Sequence, residues 1–151
     1  MTLTVDGLDA LKALAGSDLG TSDWIDVTQD RVDTFADATG DHQWIHVDPE
    51  RAKEGPFGAP IAHGYLTLSL FIPLFTGLLD VHGVTTKVNY GLNKVRFPAP
   101  VTVGSRVRLA ARLAEVADVP GGVQITVDGT IEIDGGAKPA AVLQSLSRFY
   151  A

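Results

Sequence analysis

Residues Ala59 to Leu79 contain no Asp, Glu, Lys or Arg, and this charge-free stretch constrains the chain more than any other feature. Its length is that of a bilayer-spanning helix. Pro60, Gly64, Pro73 and Gly77 punctuate it, His63 and several hydroxyls lie within it, and no cationic flank fixes an orientation, so it does not read as a membrane span. The alternative is a helix beginning near His63, in which Leu66, Leu68, Leu70, Phe71, Ile72, Leu74, Phe75, Leu78 and Leu79 leave no wet face. Such a helix has to be enclosed by the rest of the fold.

The second half of the chain supplies the enclosure. Val123, Ile125, Val127, Ile131 and Ile133 alternate with Gln124, Thr126, Asp128, Thr130 and Glu132, the period of a half-buried strand. Val107, Leu109, Ala111 and Leu113 alternate with Arg106, Arg108 and Arg112 in the same way, and Val84 to Phe97 and Ala140 to Tyr150 are further strands. Turns fall at Pro120-Gly121-Gly122 and Gly135-Gly136, and Trp24 to Val27 can join the sheet from its other end. Long antiparallel strands curled around one buried helix make an α+β domain spanning residues 1–151. One small sheet does not hide so apolar a helix, so edge-to-edge pairing into a homodimer is expected.

Composition narrows the function. With 18 Asp plus Glu against 12 Lys plus Arg the formal charge is −6, so no basic stripe is present to bind nucleic acid. The absence of cysteine removes disulfides, thiolate metal sites and cysteine nucleophiles, and is compatible with a reducing cytoplasm. The N-terminus, MTLTVDGLDALKALAG, lacks a basic segment leading into an unbroken apolar run, so it reads as a short helix of the mature protein rather than a secretory signal.

The local signals before the apolar stretch are sharper. Thr28 is a helix N-cap, Val32, Phe35, Ala36 and Thr39 follow at helical spacing, and Gly40 ends the helix. Asp48-Pro49 starts another, because Asp caps and Pro tolerates the first helical position. Asp41 to Val47 is therefore a connector, and Gly55 to Pro60 a loop. The connector carries Asp41, His42, Gln43, Trp44 and His46 between two helices, which makes its polar groups candidates for chemistry. On a continuous helix Asp41 and His46 would point about 140° apart, whereas a bent connector lets them converge. The residues alone equally allow Asp41 to bond nearby amides and His46 to be a satisfied histidine. His42 and His46, with Asp41 or His63, could form a metal site, but Gly40 before them and Asp48-Pro49 after them oppose the helix that spacing needs, so no metal is expected. Gly64 opens the buried helix, where free N–H groups can receive a developing oxyanion, unless it merely permits close packing. On the strand Asn93-Lys94-Val95-Arg96-Phe97, Lys94 and Arg96 share a face and could hold phosphates, or form an ordinary solvated surface. Gln43, Tyr90 and Asn93 are possible pocket-lining groups; Trp44 most simply packs, and His82 most simply lies in a solvated loop.

The run Phe35 to Ala52, FADATGDHQWIHVDPERA, resembles the signature of the MaoC-like, (R)-specific enoyl-CoA hydratase family: an aromatic residue, Thr-Gly-Asp, an apolar-His pair, and a small residue six positions after that His. The resemblance continues through Ile61-Ala62-His63-Gly64 and Arg96-Phe97-Pro98-Ala99-Pro100-Val101 and spans most of the chain. It implies the hot dog fold, a long helix wrapped by an antiparallel sheet and usually dimeric. It also implies that Asp41 and His46 are the catalytic pair and that the Gly64 amide is the oxyanion donor. Where the usual family pattern has Asn-Pro between the Asp and His parts, this chain has Gln43-Trp44, which looks like the nodulation-protein-N-type branch. Pro73 within the helix means that a chain-length preference does not carry over.

The resemblance implies reversible hydration of a trans-2-enoyl thioester to the (R)-3-hydroxyacyl thioester in fatty-acid metabolism. The substrate would be carried on CoA or acyl carrier protein, with no cofactor, and Lys94 and Arg96 are candidates for the CoA phosphates. Two other readings follow from the fold: a thioesterase, for which an acidic residue on the central helix is expected and none occurs before Asp80, and a non-catalytic thioester-binding subunit of a heterodimer.

Overall fold

A computed structural model describes every residue from Met1 to Ala151. In chain order, strand β1 (Leu3–Asp6) leads into helix α1 (Gly7–Ala13), strands β2 (Asp18–Thr21) and β3 (Ile25–Asp26), and helix α2 (Gln29–Thr39). Two short helices follow, α3 (Trp44–Val47) and α4 (Pro49–Lys53), then α5 (Gly64–Ser69) and α6 (Phe71–Thr76). The chain closes with β4 (Leu79–His82) and the long strands β5 (Thr86–Arg96), β6 (Arg106–Val119), β7 (Gly122–Ile133) and β8 (Ala141–Tyr150). The main sheet is antiparallel in the order β2-β6-β7-β8-β5, with β3 also pairing β6, while β1 and β4 form a separate parallel pair. This is the hot dog arrangement: α5 and α6 lie end to end across the concave face of the sheet.

Alternation explains which face the helices meet. Val107, Leu109, Ala111 and Leu113 of β6, Val123, Ile125, Val127 and Ile131 of β7, and Leu143 and Phe149 of β8 are buried with Leu66, Leu70, Phe71, Leu74, Phe75 and Leu78 in one core. Gly129 occupies an inward position of β7, and a Cβ there would press on Leu109, Leu143 and Phe71, so its missing side chain is what lets the helix sit close. Cross-strand pairs such as Arg108–Glu132 cover the outer face.

Four expectations need correction. The N-terminal segment is a strand before it is a helix: Leu3 to Asp6 pairs with the end of the apolar stretch, whose last residue, Leu79, is a strand residue. The connector is not irregular throughout, because Trp44 to Val47 closes one helical turn. The central helix is interrupted at Leu70, three residues before Pro73, which has no N–H to donate back along the helix. Nor is that helix fully enclosed: Tyr65 and Ile72 are exposed, as are Val88, Tyr90 and Leu92 on the edge strand β5. No helix is long and apolar enough to cross a membrane.

Leu74 is 2% exposed at the centre of the helix–sheet contact. Leu74→Ala should lower the unfolding free energy by about 2–5 kcal/mol, measured by urea denaturation, through lost burial and the cavity left behind.

Candidate active site

The elements around Asp41 and His46 are set by local capping. The Thr28 hydroxyl accepts from the Arg31 N–H at the start of α2, and Gly40 ends that helix in the left-handed region at φ 82°. Few residues other than glycine adopt that conformation readily, so Gly40 is what turns the chain into the Asp41 loop. The Asp48 carboxylate accepts from the Arg51 N–H and Pro49 takes the first position of α4. Trp44 packs as expected, with the Arg51 guanidinium 4.4 Å above its ring and Gly55 against its edge.

Between these caps, backbone groups hold His46 in place. Ile61 N–H donates to the Ile45 carbonyl at 3.0 Å, and the Ile61 carbonyl faces His46 Nδ1 at 2.7 Å. A carbonyl oxygen only accepts, so Nδ1 carries the hydrogen, and in the neutral imidazole Nε2 is left with a bare lone pair. The neighbouring Ala62 N–H donates to Val101 and Val103 N–H to Pro60, which ties the 60–62 segment to the sheet side of the molecule. Gln29 supports the same helix turn by donating to the His46 carbonyl at 2.8 Å and to the Asp33 carboxylate at 2.9 Å.

Asp41, His46 and a second histidine, His63, each present a polar atom within 4.8 Å of the others. His46 and His63 are 6% and 2% exposed, whereas Asp41 is open to solvent. His63 Nε2 lies 2.9 Å from the Asp41 carbonyl and must donate to it. The two imidazoles stack, with centroids 3.9 Å apart and planes 25° from parallel, and the Phe35 ring packs on His63 at 4.8 Å, tilted by 51°. Ring lone pairs lie in the ring planes, so near-parallel stacked rings aim them side by side rather than at one point. A bound zinc ion takes ligand lone pairs that converge at about 2.0–2.1 Å.

Gly64 follows His63 as the first residue of α5, and no side chain caps that helix start. A Cβ on Gly64 would lie 3.1 Å from the Phe97 ring, so Gly64 does permit close packing as well as leaving its N–H free. A cavity of about 340 Å³ opens beside it, lined by Phe57, Ile61, Gly64, Thr67, Phe97 and Val101 among others.

The remaining candidates lie elsewhere. Gln43 stays in the Asp41 loop, its N–H making a long 3.4 Å contact to the Asp41 carboxylate. Lys94 and Arg96 pair with Gln144 and Val142 of β8, whose side chains alternate with the buried Leu143, so both face the outer surface of the sheet. Asn93 donates to Gln144 there, and Tyr90 lies under the Arg148 guanidinium at 3.7 Å. Within one chain none of these four joins Asp41, His46 and Gly64. His42 is exposed and turned to Asp37, and His82 bonds Asp80 at the end of β4. The sequence carries no signal for Gln29, indistinguishable from any first-turn residue, and it offers His63 only as a possible metal ligand and as the residue before the helix.

The fold is a hot dog domain in which a carboxylate and two imidazoles gather ahead of the central helix, beside an apolar cleft. The chain belongs to the MaoC like domain family, whose pattern matches residues 11–134. It is 56% identical over 149 residues to 3-hydroxyacyl-thioester dehydratase Z of Mycobacterium tuberculosis, covering 98% of this chain and 99% of that protein. It is also 48% identical to nodulation protein N of Rhizobium leguminosarum bv. viciae, covering 83% of this chain and 80% of that one. Among solved structures, the (R)-hydratase from A. caviae involved in PHA biosynthesis superposes with a TM-score of 0.70 at 25% identity, over 88% of this chain and 94% of that chain.

The Asp37 carboxylate, 2.9 Å from His42 Nε2, raises the His42 pKa above the ordinary imidazole value, mainly through that hydrogen bond and against some desolvation. A raised folded-state pKa means that the pair stabilises the protein below the ordinary imidazole range and loses that contribution as pH rises through the folded value. In an NMR titration Asp37→Asn should move the His42 midpoint down.

Proposed function

We propose that this protein catalyses the reversible hydration of trans-2-enoyl-CoA to (R)-3-hydroxyacyl-CoA, acting as a dehydratase in the other direction. The observation that carries the reading is the His46 tautomer. With Nδ1–H committed to Ile61, Nε2 of the neutral ring is an acceptor, and the Asp41 carboxylate, with an oxygen within 4.8 Å of a ring nitrogen of His46, is a second. No direct hydrogen bond joins that carboxylate to His46, so a water can donate one hydrogen to each group and keep an oxygen lone pair free to attack Cβ. The proton released stays within the pair, and Cα is protonated from it. In dehydration the same groups take the Cα proton and return one to the leaving hydroxyl. Asp41 and His46 act as one unit in this scheme.

The reaction also needs donors for the charge that builds on the thioester oxygen. The Gly64 N–H is uncapped at the head of α5 and fits that part. The cleft beside it offers an apolar bed for the unreactive part of the thioester. The relative from M. tuberculosis is named for dehydration of 3-hydroxyacyl thioesters and the structural neighbour from A. caviae for (R)-hydration, and both names agree with this chemistry. The M. tuberculosis relative is named a dehydratase, which favours turnover over a thioesterase or a non-catalytic binding subunit.

A homodimer completes the proposal. β5 is an edge strand of 11 residues with Val88, Tyr90 and Leu92 exposed, close to the uncovered Ile72 of the helix. A second copy paired along β5 would cover both. Light scattering should give twice the 16.0 kDa chain mass, and Val88→Lys with Leu92→Lys should return it to one.

The activity itself is tested by following loss of enoyl absorbance from short and medium trans-2-enoyl-CoA, with chiral analysis of the product. Wild type should give the (R)-alcohol, and Asp41→Asn and His46→Gln should each lower kcat by about 10²- to 10⁴-fold while remaining folded. Turnover unchanged in both variants would remove the assigned roles.

A further inference from the structure

We propose that His63 is a positioning residue that holds Asp41 and His46 in register with each other and with the helix start; the inference rests on the hydratase reading above. Three observations meet on this one side chain. Its Nε2–H donates to the Asp41 carbonyl at 2.9 Å, a tether between residues 22 apart in the chain. Asp41 follows the left-handed Gly40, and its carboxylate otherwise has only the long 3.4 Å contact from Gln43 N–H, so His63 is the firm hold on this exposed loop. The same ring stacks on His46 at 3.9 Å and sets the plane of that imidazole, while the Ile61 carbonyl sets its rotation within the plane.

The third observation concerns the other ring nitrogen. His63 Nδ1 is buried and has no hydrogen-bond partner. An unpaired buried acceptor is destabilising, and an apolar ring of the same shape would pack against Phe35 and His46 without one. Packing alone therefore does not account for an imidazole here; the donor on its far side does. Because His63 immediately precedes Gly64, the tether also links the acid–base pair to the amide proposed to receive the thioester oxygen. His63 touches neither reactant in this account and acts through Asp41 and His46.

His63→Phe keeps a flat ring against His46 but has no N–H, whereas His63→Gln carries an amide N–H at the reach of Nε2. His63→Phe should lower kcat for enoyl-CoA hydration by about 10- to 100-fold, the scale of a small misplacement of catalytic groups. Its KM should stay within about 3-fold of wild type, with no loss in melting temperature, and His63→Gln should recover most of the rate. Wild-type kcat in His63→Phe would overturn the proposal, as would parallel loss of rate and melting temperature in both variants, which marks packing alone. A long-range ¹H–¹⁵N spectrum of the wild type gives a readout independent of turnover. His63 should be the Nε2–H tautomer, and an Nδ1–H tautomer would overturn the tether. If wild type hydrates no enoyl-CoA the hydratase reading fails, and the tautomer still decides whether the tether exists.

Discussion

The backbone of Ile61 is the point on which the site depends. Its N–H and C=O both go to the short helix that carries His46, the first to the Ile45 carbonyl and the second to the imidazole. Backbone polar groups away from water need partners, and here that requirement selects one tautomer of one histidine. Everything proposed about the chemistry follows from the nitrogen left bare. A carboxylate and a neutral imidazole that both accept can hold both hydrogens of a water, whereas a histidine with the opposite tautomer would compete with that water by donating.

The apolar helix supplies the rest of the environment. Its buried side rests on the inward residues of the sheet, with Phe71 admitted by the missing side chain of Gly129. That contact fixes where the head of the helix emerges, and with it the Gly64 amide. The 60–62 segment hangs from the same place, tied to Val101 and Val103 on one side and to the His46 helix on the other. Core packing and acid–base geometry are thus parts of one construction, since a shift of the helix would move Gly64 and Ile61 together. The side of the helix left open, with Ile72 and the β5 edge, is where a second copy would finish the enclosure.

Much of this was legible in the residues because it depends on neighbours in sequence. Thr28, Gly40 and Asp48-Pro49 announced the ends of two helices, and each does so in the structure through its own cap or left-handed backbone. Alternation from Val123 to Ile131 marked a strand whose inward residues are buried. What depends on distant partners was not legible. The β1–β4 pair joins Leu3 to Leu79, and neither segment has a pattern long enough to betray it. Alternation placed Lys94 and Arg96 on a common face but could not say which, because that is settled by their pairing with Gln144 and Val142. His63 looked like the first residue of a helix; its contacts to Asp41 and His46 exist only once the chain has folded back.

The chemistry at this site turns on the state of His46, and long-range ¹H–¹⁵N correlation on uniformly labelled protein at neutral pH reads it directly. The predicted result is a neutral ring protonated at Nδ1, with Nε2 showing the shift of an unprotonated acceptor. A ring protonated at Nε2 would contradict the account, because the nitrogen assigned to receive a proton from water would already carry one.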